Sequence, residues 1–307
     1  SACFAHKPVE CFYRMVKEMT LRVIIAGAGI VGVSTGIWLR RISDAQVTII
    51  DRLPPGEGTS HGNAGVIAAC SVVPVTAPGL IRKAPRMLAN RDFPLFMRWG
   101  YLPKLLPWLL KYLGHANDTD TRRIAKGLAT IVEDSVDQHK ALVDGTGAAS
   151  WVRDSDYSFA YVNRAAFEAD TYTWALRREA GFEPVLREGS SVHAFEPNLS
   201  PDIGLLATMR DHGFVHDPGG YVKALATEFE KLGGTLLQAE IKDFDLTGGR
   251  ITGVLTNLGR HECDHAILAT GVWSKPLMQK LGLSIPIETE RGYHIVFKDA
   301  TGGPAHP

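Results

Sequence analysis

"RVIIAGAGIVGVSTGIWLRR", residues 22–41, sets an apolar run of strand length directly before three glycines spaced G-x-G-x-x-G. After its first residue "RVIIA" shows no polar alternation, the pattern of a parallel strand buried on both faces. Gly27, Gly29 and Gly32 follow at once. Ile30, Val33 and Ile37 then recur on one helical face, and the stretch ends in Arg40 and Arg41, whose charges suit a helix C-terminus. "AQVTIIDR" is a second β-rich run, closed by Asp51 and Arg52. Strand, glycine turn, helix and strand in this order form the setting of a dinucleotide-binding turn.

Each glycine has a separate physical task in such a turn. Gly27 permits the tight bend, Gly29 lets a pyrophosphate approach the backbone, and Gly32 lets the helix pack on the strand. Free N–H groups and the helix dipole then face the phosphates. Asp51, at the end of the second strand, accepts hydrogen bonds from ribose hydroxyls. It would repel a 2′-phosphate, so NADP is disfavoured.

The chain has 307 residues, enough for one large or two ordinary domains. Lys plus Arg and Asp plus Glu number 33 each, which gives no reason to expect nucleic acid as a partner. Cys3, Cys11, Cys70 and Cys263 form no C-x-x-C pair, and a reducing, cytoplasmic setting is expected. Residues 1–20 lack the apolar core of a signal peptide and are read as an extension outside the fold. "KDATGGPAHP" follows the strand-like "YHIVF" directly, so the complete protein is expected to continue beyond it.

Residues 94–114, "PLFMRWGYLPKLLPWLLKYLG", carry three basic residues and three prolines, which rejects a membrane span. A short amphipathic helix near 103–113 is expected instead, with Leu105, Leu106, Leu109 and Leu110 at helical spacing. It has two readings: packing on its own domain, or peripheral contact with the inner face of the plasma membrane through Trp108, Lys104 and Lys111.

Small residues dominate "GEGTSHGNAGVIAA", 56–69, where main chain can lie against a flat ligand. From residue 82 to 209 the pattern changes to amphipathic helices, at 121–145 and at 164–181, the second closed by Gly181. His212 and His216 lack partners at metal-ligand spacing and read as loop histidines; no metal is expected. An Asp-Pro helix start at 217 returns to α/β grammar. Residues 242–271 read as a small antiparallel meander leading into the buried-strand pattern "AILATG", and "ETERGYHIVF", 288–297, reads as a later strand.

"VIIAGAGIVGVSTGIWL", "TIIDR", "GTSHGNAGVIA", "HDPGGYVKALA", "HAILATGVWS" and "ERGYHIVF", in that order, resemble FAD-dependent oxidoreductases of the D-amino-acid oxidase type, most nearly the D-amino-acid dehydrogenase branch. The resemblance covers residues 21–300. It implies an α/β fold: a glutathione-reductase-like, FAD-binding Rossmann domain from 21–81 and 210–281, with an inserted α+β substrate domain from 82–209 and 282–307. It implies non-covalent FAD held by Gly27, Gly29, Ile30, Gly32, Asp51 and Arg52. Thr59, Ser60, Asn63, Ala64 and Gly65 run toward the pyrophosphate and flavin ring. Ile241 meets adenine through its backbone, and Thr270, Gly271 and Trp273 close over the cofactor. The resemblance implies that the family's usual substrate-carboxylate arginine and second glycine-rich segment, neither of which appears in these 307 residues, are to be expected in a continuation of the complete protein.

The reaction so implied moves a hydride from the Cα of a small amino acid, expected to be a D-amino acid, to flavin N5. The imine then hydrolyses to a keto acid. His61 polarises the flavin or contacts substrate, or is a loop histidine bonded to backbone. Tyr293 hydrogen-bonds the substrate carboxylate and Arg291 pairs with it; packed-tyrosine and surface-arginine readings stand beside these. The electron acceptor is a quinone or oxygen, and no oligomeric state is assigned. An NAD-dependent dehydrogenase explains Gly27 to Asp51 but not "GTSHGNAG" or "ILATG". A catalytically inactive FAD-binding fragment is the other alternative.

Overall fold

The run at residues 22–26 cannot be solvated on either face, and the structure buries it between two layers. The computed structural model describes residues 21–79, 99–293 and Gly303. In chain order its strands are β1 (Arg22–Ala26), β2 (Gln46–Asp51), β3 (Val66–Ile67), β4 (Val152–Tyr161), β5 (Val185–Glu188), β6 (Leu205–Val215), β7 (Thr235–Gln238), β8 (Ile241–Thr247), β9 (Arg250–Thr256), β10 (Gly259–Glu262) and β11 (His265–Leu268). The described chain divides into two units. One holds 21–64, 142–151 and 217–293; the other holds 65–79, 99–141, 152–216 and 303. The boundary drawn from sequence between 209 and 210 falls within β6, and that between 281 and 282 falls within the first unit. Residues 1–20 and the boundary between 81 and 82 lie outside the described residues.

The first unit is built on a wholly parallel sheet in the order β11-β1-β2-β7. Ile25 lies opposite Ile49, and Ala26 opposite Ile50. Period-2 alternation sends Ile25 and Ile49 to one face and Ile24 and Ile50 to the other. The helices Ile30–Ile42 and Pro218–Lys231 cover the first face. A Cβ on Gly36 would meet the Phe229 ring at 2.9 Å and Ile49 at 3.0 Å, so this glycine is where helix and sheet touch. The second helix starts as its sequence dictates. Asp217 accepts from the Gly220 N–H at 2.9 Å, and Pro218 takes the first turn, where no N–H is needed.

The expected meander forms as β8, β9 and β10 and covers the other face. Ile24 and Ile50 pack there with Phe244, Val254, Cys263 and Leu277. Ile25, Ile37, Ile49 and Ile50 keep at most 1% of their surface, and burying each contributes ~1.5–3 kcal/mol. Helices, parallel sheet and antiparallel sheet make an α/β unit of three layers.

The second unit centres on β6, which pairs antiparallel with β3, β4 and β5. Its core joins Cys70, Phe167, Trp174, Leu205, Ala207 and Met209. The register with β4 shifts between Ser155 and Tyr157, and Asp211, on the facing part of β6, has φ 60. Such a bulge re-aims the side chains beyond it. His212 is therefore turned inward, and its ring stacks at 6.2 Å on Tyr157. This corrects its reading as a loop histidine. Nδ1–H donates to the Arg210 carbonyl at 2.8 Å, which leaves Nε2 to accept the Cys70 N–H at 3.2 Å.

Both long helices of this region break at an aspartate. The stretch 121–145 becomes Asp118–Val132 and Ser135–Val143, with Asp134 between them accepting the side-chain amide of Gln138 at 2.9 Å. The stretch 164–181 becomes Arg164–Ala169 and Thr171–Glu179, and the Asp170 carboxylate accepts from the Tyr161 hydroxyl at 2.8 Å. Aspartate favours such boundary positions because its short side chain competes with the helical ladder. Gly181 ends the second piece at φ +88, as expected of a left-handed cap.

The helix expected near 103–113 spans Leu102–Gly114 and buries no residue fully. Trp108 stacks on Tyr112 at 4.7 Å along its half-buried side. Pro103, Leu106, Pro107 and Leu110 face solvent, with Lys104 and Lys111 along one edge. Residues 288–293 take no regular structure, contrary to the expected strand, since no ladder partner meets them among the described residues; 294–297 lie outside those residues.

Candidate functional site

The four parallel strands of the first unit end on one side, and a cavity of about 610 Å³ opens there. Its wall takes residues from beyond every strand: Gly29 after β1, Arg52 after β2, Glu240 after β7, Thr270 after β11. From β1 the chain moves to β2 on one side and places β11 on the other. The cavity thus lies where the strand order reverses, the ordinary ligand crevice of parallel α/β sheets. Its size falls in the ~300–1,000 Å³ range of small-molecule sites.

The three glycines shape its floor in different ways. Gly27 has φ +111, and a Cβ there would stand 2.4 Å from the Ala269 carbonyl oxygen. A Cβ on Gly32 would stand 1.9 Å from the Gly27 carbonyl oxygen. Both are tight packing positions behind the wall. Around the missing Cβ of Gly29 no atom lies within 4 Å. This open space fronts the N-terminus of the helix Ile30–Ile42, whose cap, Gly29, brings no side chain to its N–H groups. Unfilled donors, open room and a favourable dipole fit a pyrophosphate.

Asp51 holds this loop in place. One carboxylate oxygen accepts from the Ala28 N–H at 2.8 Å and the other from the Leu53 N–H at 2.9 Å. A carboxylate offers about four acceptor positions, so acceptor capacity remains for ribose hydroxyls on the cavity side. Beside it the Arg52 guanidinium lies 4.6 Å over the Trp273 ring, and both residues line the cavity. Gln238 donates to the Arg52 carbonyl at 3.2 Å. Thr270 and Ser274 share a hydroxyl hydrogen bond at 3.0 Å.

Of the residues singled out in the sequence, Gly29, Ile30, Asp51, Arg52, Thr59, Ser60, Ile241, Thr270, Gly271 and Trp273 line this one cavity. Asn63 stands just outside and ties the loop by donating to the Ser60 carbonyl at 3.1 Å. Ala64 is exposed, and Gly65 belongs to the second unit. His61 is exposed, and its N–H donates to the Gly58 carbonyl at 3.1 Å. Arg291 and Tyr293 are exposed too, Tyr293 at 88%, and neither lines the cavity.

Several wall residues escaped the sequence reading: Ala28, Glu240, Lys242, Leu277 and Lys280. Trp273, Leu277 and Lys280 recur every three to four residues, which was the available signal for a helix face. Lys280 donates to Asp243 at 3.0 Å. The Phe244 N–H and then Lys280 hold the Asp243 carboxyl below its usual range. Lys242 does the same for Glu240.

The profile of the family described as "FAD dependent oxidoreductase" matches residues 22–307. A D-amino-acid oxidase of Bradyrhizobium diazoefficiens is 34% identical over 285 residues, covering 92% of this chain and 67% of the relative. A D-amino acid dehydrogenase of Helicobacter pylori is 27% identical over 282 residues, covering 91% and 67%. Among solved structures, glycine oxidase from Bacillus cereus superposes with a TM-score of 0.55 at 21% identity, covering 85% of this chain and 58% of that one. L-amino acid deaminase from Proteus myxofaciens gives 0.58 at 17%, covering 87% and 49%. The chain therefore spans about two thirds of the curated relatives and half to three fifths of these solved chains.

Proposed function

Because the chain belongs to the FAD-dependent oxidoreductase family typified by D-amino-acid oxidase, we propose that it takes part in oxidising the Cα–N bond of a small amino acid, a D-amino acid. The first unit is the FAD-binding domain in this reading, and the second contributes to a substrate domain. The observation that carries the reading is the cavity beyond all four parallel strands, with open space at Gly29 and a carboxylate at Asp51.

Bound non-covalently, the flavin supplies the hydride acceptor, its N5 atom. The chain's own residues hold and orient. N–H groups at Gly29 and Ile30 take the pyrophosphate, and Asp51 takes the ribose. Ile241 meets adenine, while Arg52 and Trp273 close the wall. Thr59, Ser60, Asn63 and Ala64 follow the cofactor toward its ring. In this reading Tyr293 and Arg291, exposed and outside the cavity in this chain, are the candidates to hold the substrate carboxylate, and the exposed His61 is the candidate to polarise the reacting end. The substrate loses a hydride from Cα and a proton from nitrogen; the resulting imine takes up water and releases ammonia and a keto acid.

Electrons pass on to a quinone or to oxygen. The helix Leu102–Gly114 favours a membrane-borne acceptor. Leu106 and Leu110 face solvent between exposed Trp99 and Lys111, and the helix carries no acidic residue. Such a face suits the surface of an anionic bilayer. No helix among the described residues is long and apolar enough to cross a membrane.

Anaerobic mixing of the flavin-loaded chain with D-alanine and, separately, L-alanine tests the chemistry. Bleaching of the flavin by the D-isomer alone is expected. A flavin that no amino acid bleaches would leave the inactive-fragment alternative and overturn the catalytic reading.

A further inference from the structure

The loop between Asp51 and β3 carries Gly58, Thr59 and Ser60 into the wall of the cavity. Its backbone bonds include short turns within itself: the Glu57 N–H donates to the Pro54 carbonyl at 3.2 Å, and the His61 N–H to that of Gly58 at 3.1 Å. A run of small residues held in this way opens at little cost. The helix Pro218–Lys231 supports it from outside. Gly56, at φ +78, is buried against this helix: a Cβ there would stand 2.5 Å from the Gly219 carbonyl oxygen and 3.4 Å from the Val222 side chain. A Cβ on Gly219 would in turn stand 3.4 Å from the His61 ring. Glycine against glycine brings loop and helix together without interlocking side chains.

An ion pair closes this contact. Lys223, in the second turn of the helix, bonds to Glu57. By its hydrogen bond and then by its charge, Lys223 holds the Glu57 carboxyl below its usual range, and Glu57 raises Lys223 likewise. Neither residue lines the cavity, yet Glu57 directly precedes the three loop residues that do. Ser60, the last of these, is buried. A half-exposed pair adds little to global stability, because water screens it. It weighs more on a loop that opens by itself. There a small preference sets the fraction of molecules with the loop in place, and ligand affinity scales with that fraction.

We propose, resting on the flavin reading of the cavity, that Glu57 and Lys223 are positioning residues for the cofactor: their ion pair fastens the loop to the helix and so keeps Thr59 and Ser60 at the cavity wall. The pair acts through the loop and touches neither cofactor nor substrate. Its effect is on retention of FAD, since a loop that opens more often lets bound FAD leave sooner.

Release of FAD from the loaded chain, followed as the return of flavin fluorescence on dilution, tests this. Glu57→Gln and Lys223→Met should each release FAD about three- to fivefold faster than the unaltered chain. The double variant should release it no faster than either single one, because the second substitution removes nothing further. Unfolding midpoints of the FAD-free variants should stay at that of the unaltered chain, which a merely structural role would not allow. Hydrogen exchange of the FAD-free chain gives a second measurement: the amides of residues 58–60 should exchange faster in both single variants. Unchanged release, losses that add in the double variant, unchanged exchange, or a fall in midpoint matching the faster release would each overturn the proposal and leave the flavin reading in place. An unaltered chain that takes up no FAD would overturn the flavin reading, and the proposal with it.

Discussion

A Cβ on Gly32 would stand 1.9 Å from the carbonyl oxygen of Gly27, whereas a Cβ on Gly29 would touch nothing. Two glycines of one motif therefore answer to different demands. Gly32→Ala forces backbone apart and should cost about 3 kcal/mol, the upper end of overpacking. Gly29→Ala loses only a favourable cap residue, about 1 kcal/mol at most, yet it fills the space facing the helix N-terminus. We expect it to fold and to bind FAD at least tenfold more weakly. Urea unfolding and a flavin titration on both variants separate the two effects; equal stability of the variants would contradict the packing argument.

Asp51→Asn keeps the shape of the side chain but replaces one acceptor by a donor. One of the N–H groups of Ala28 and Leu53 then faces an amide NH₂. Hydrogen bonds to charged acceptors are worth ~1.5–3 kcal/mol, so a loss in that range is expected. Flavin affinity should fall about tenfold, ~1.4 kcal/mol. A variant with wild-type stability and wild-type affinity would remove Asp51 from its assigned place.

His139 makes stability depend on pH. Burial lowers its pKa below the ordinary histidine value of about 6.5. The unfolded chain therefore takes up the proton first as pH falls. Its contribution is complete above about pH 6.5 and is lost as pH drops from there through the folded pKa. Thermal midpoints measured from about pH 8 to about pH 5 should decline below that point, and His139→Leu should flatten the decline. An identical decline in the variant would assign it to other groups.

The exposed face of the helix Leu102–Gly114 gives a vesicle prediction. The chain should cosediment with vesicles rich in anionic phosphatidylglycerol and release them at high salt. Leu106→Glu with Leu110→Glu should cut this binding about tenfold, while exposed positions of this kind alter stability by only ~0.5 kcal/mol each. Unaltered binding by the double variant would remove this helix as the contact.

The first unit was legible because its signals are local. A strand buried on both faces reads as an unbroken apolar run, the three glycines report their own backbone demands, and Asp217-Pro218 announces a helix. Cavity residues on those turns could be named in advance. Residues contributed by the far side of a helix, such as Leu277 and Lys280, needed the helix phase as well. In the second unit the signal is broken. β4 carries Arg153, Asp154 and Asp156 among its apolar positions, and the bulge at Asp211 shifts the period of β6, so "RDHG" looks like a loop. Asp134 and Asp170 interrupt helices whose apolar stripes run on past them.

The account rests on the cavity at the strand ends being a flavin site, and titration of FAD into the purified chain tests that most directly. The account predicts saturable quenching of flavin fluorescence at one equivalent, with a rise in the unfolding midpoint that Gly29→Ala diminishes. A chain that is folded by circular dichroism yet leaves FAD fully fluorescent and its own midpoint unmoved would contradict it.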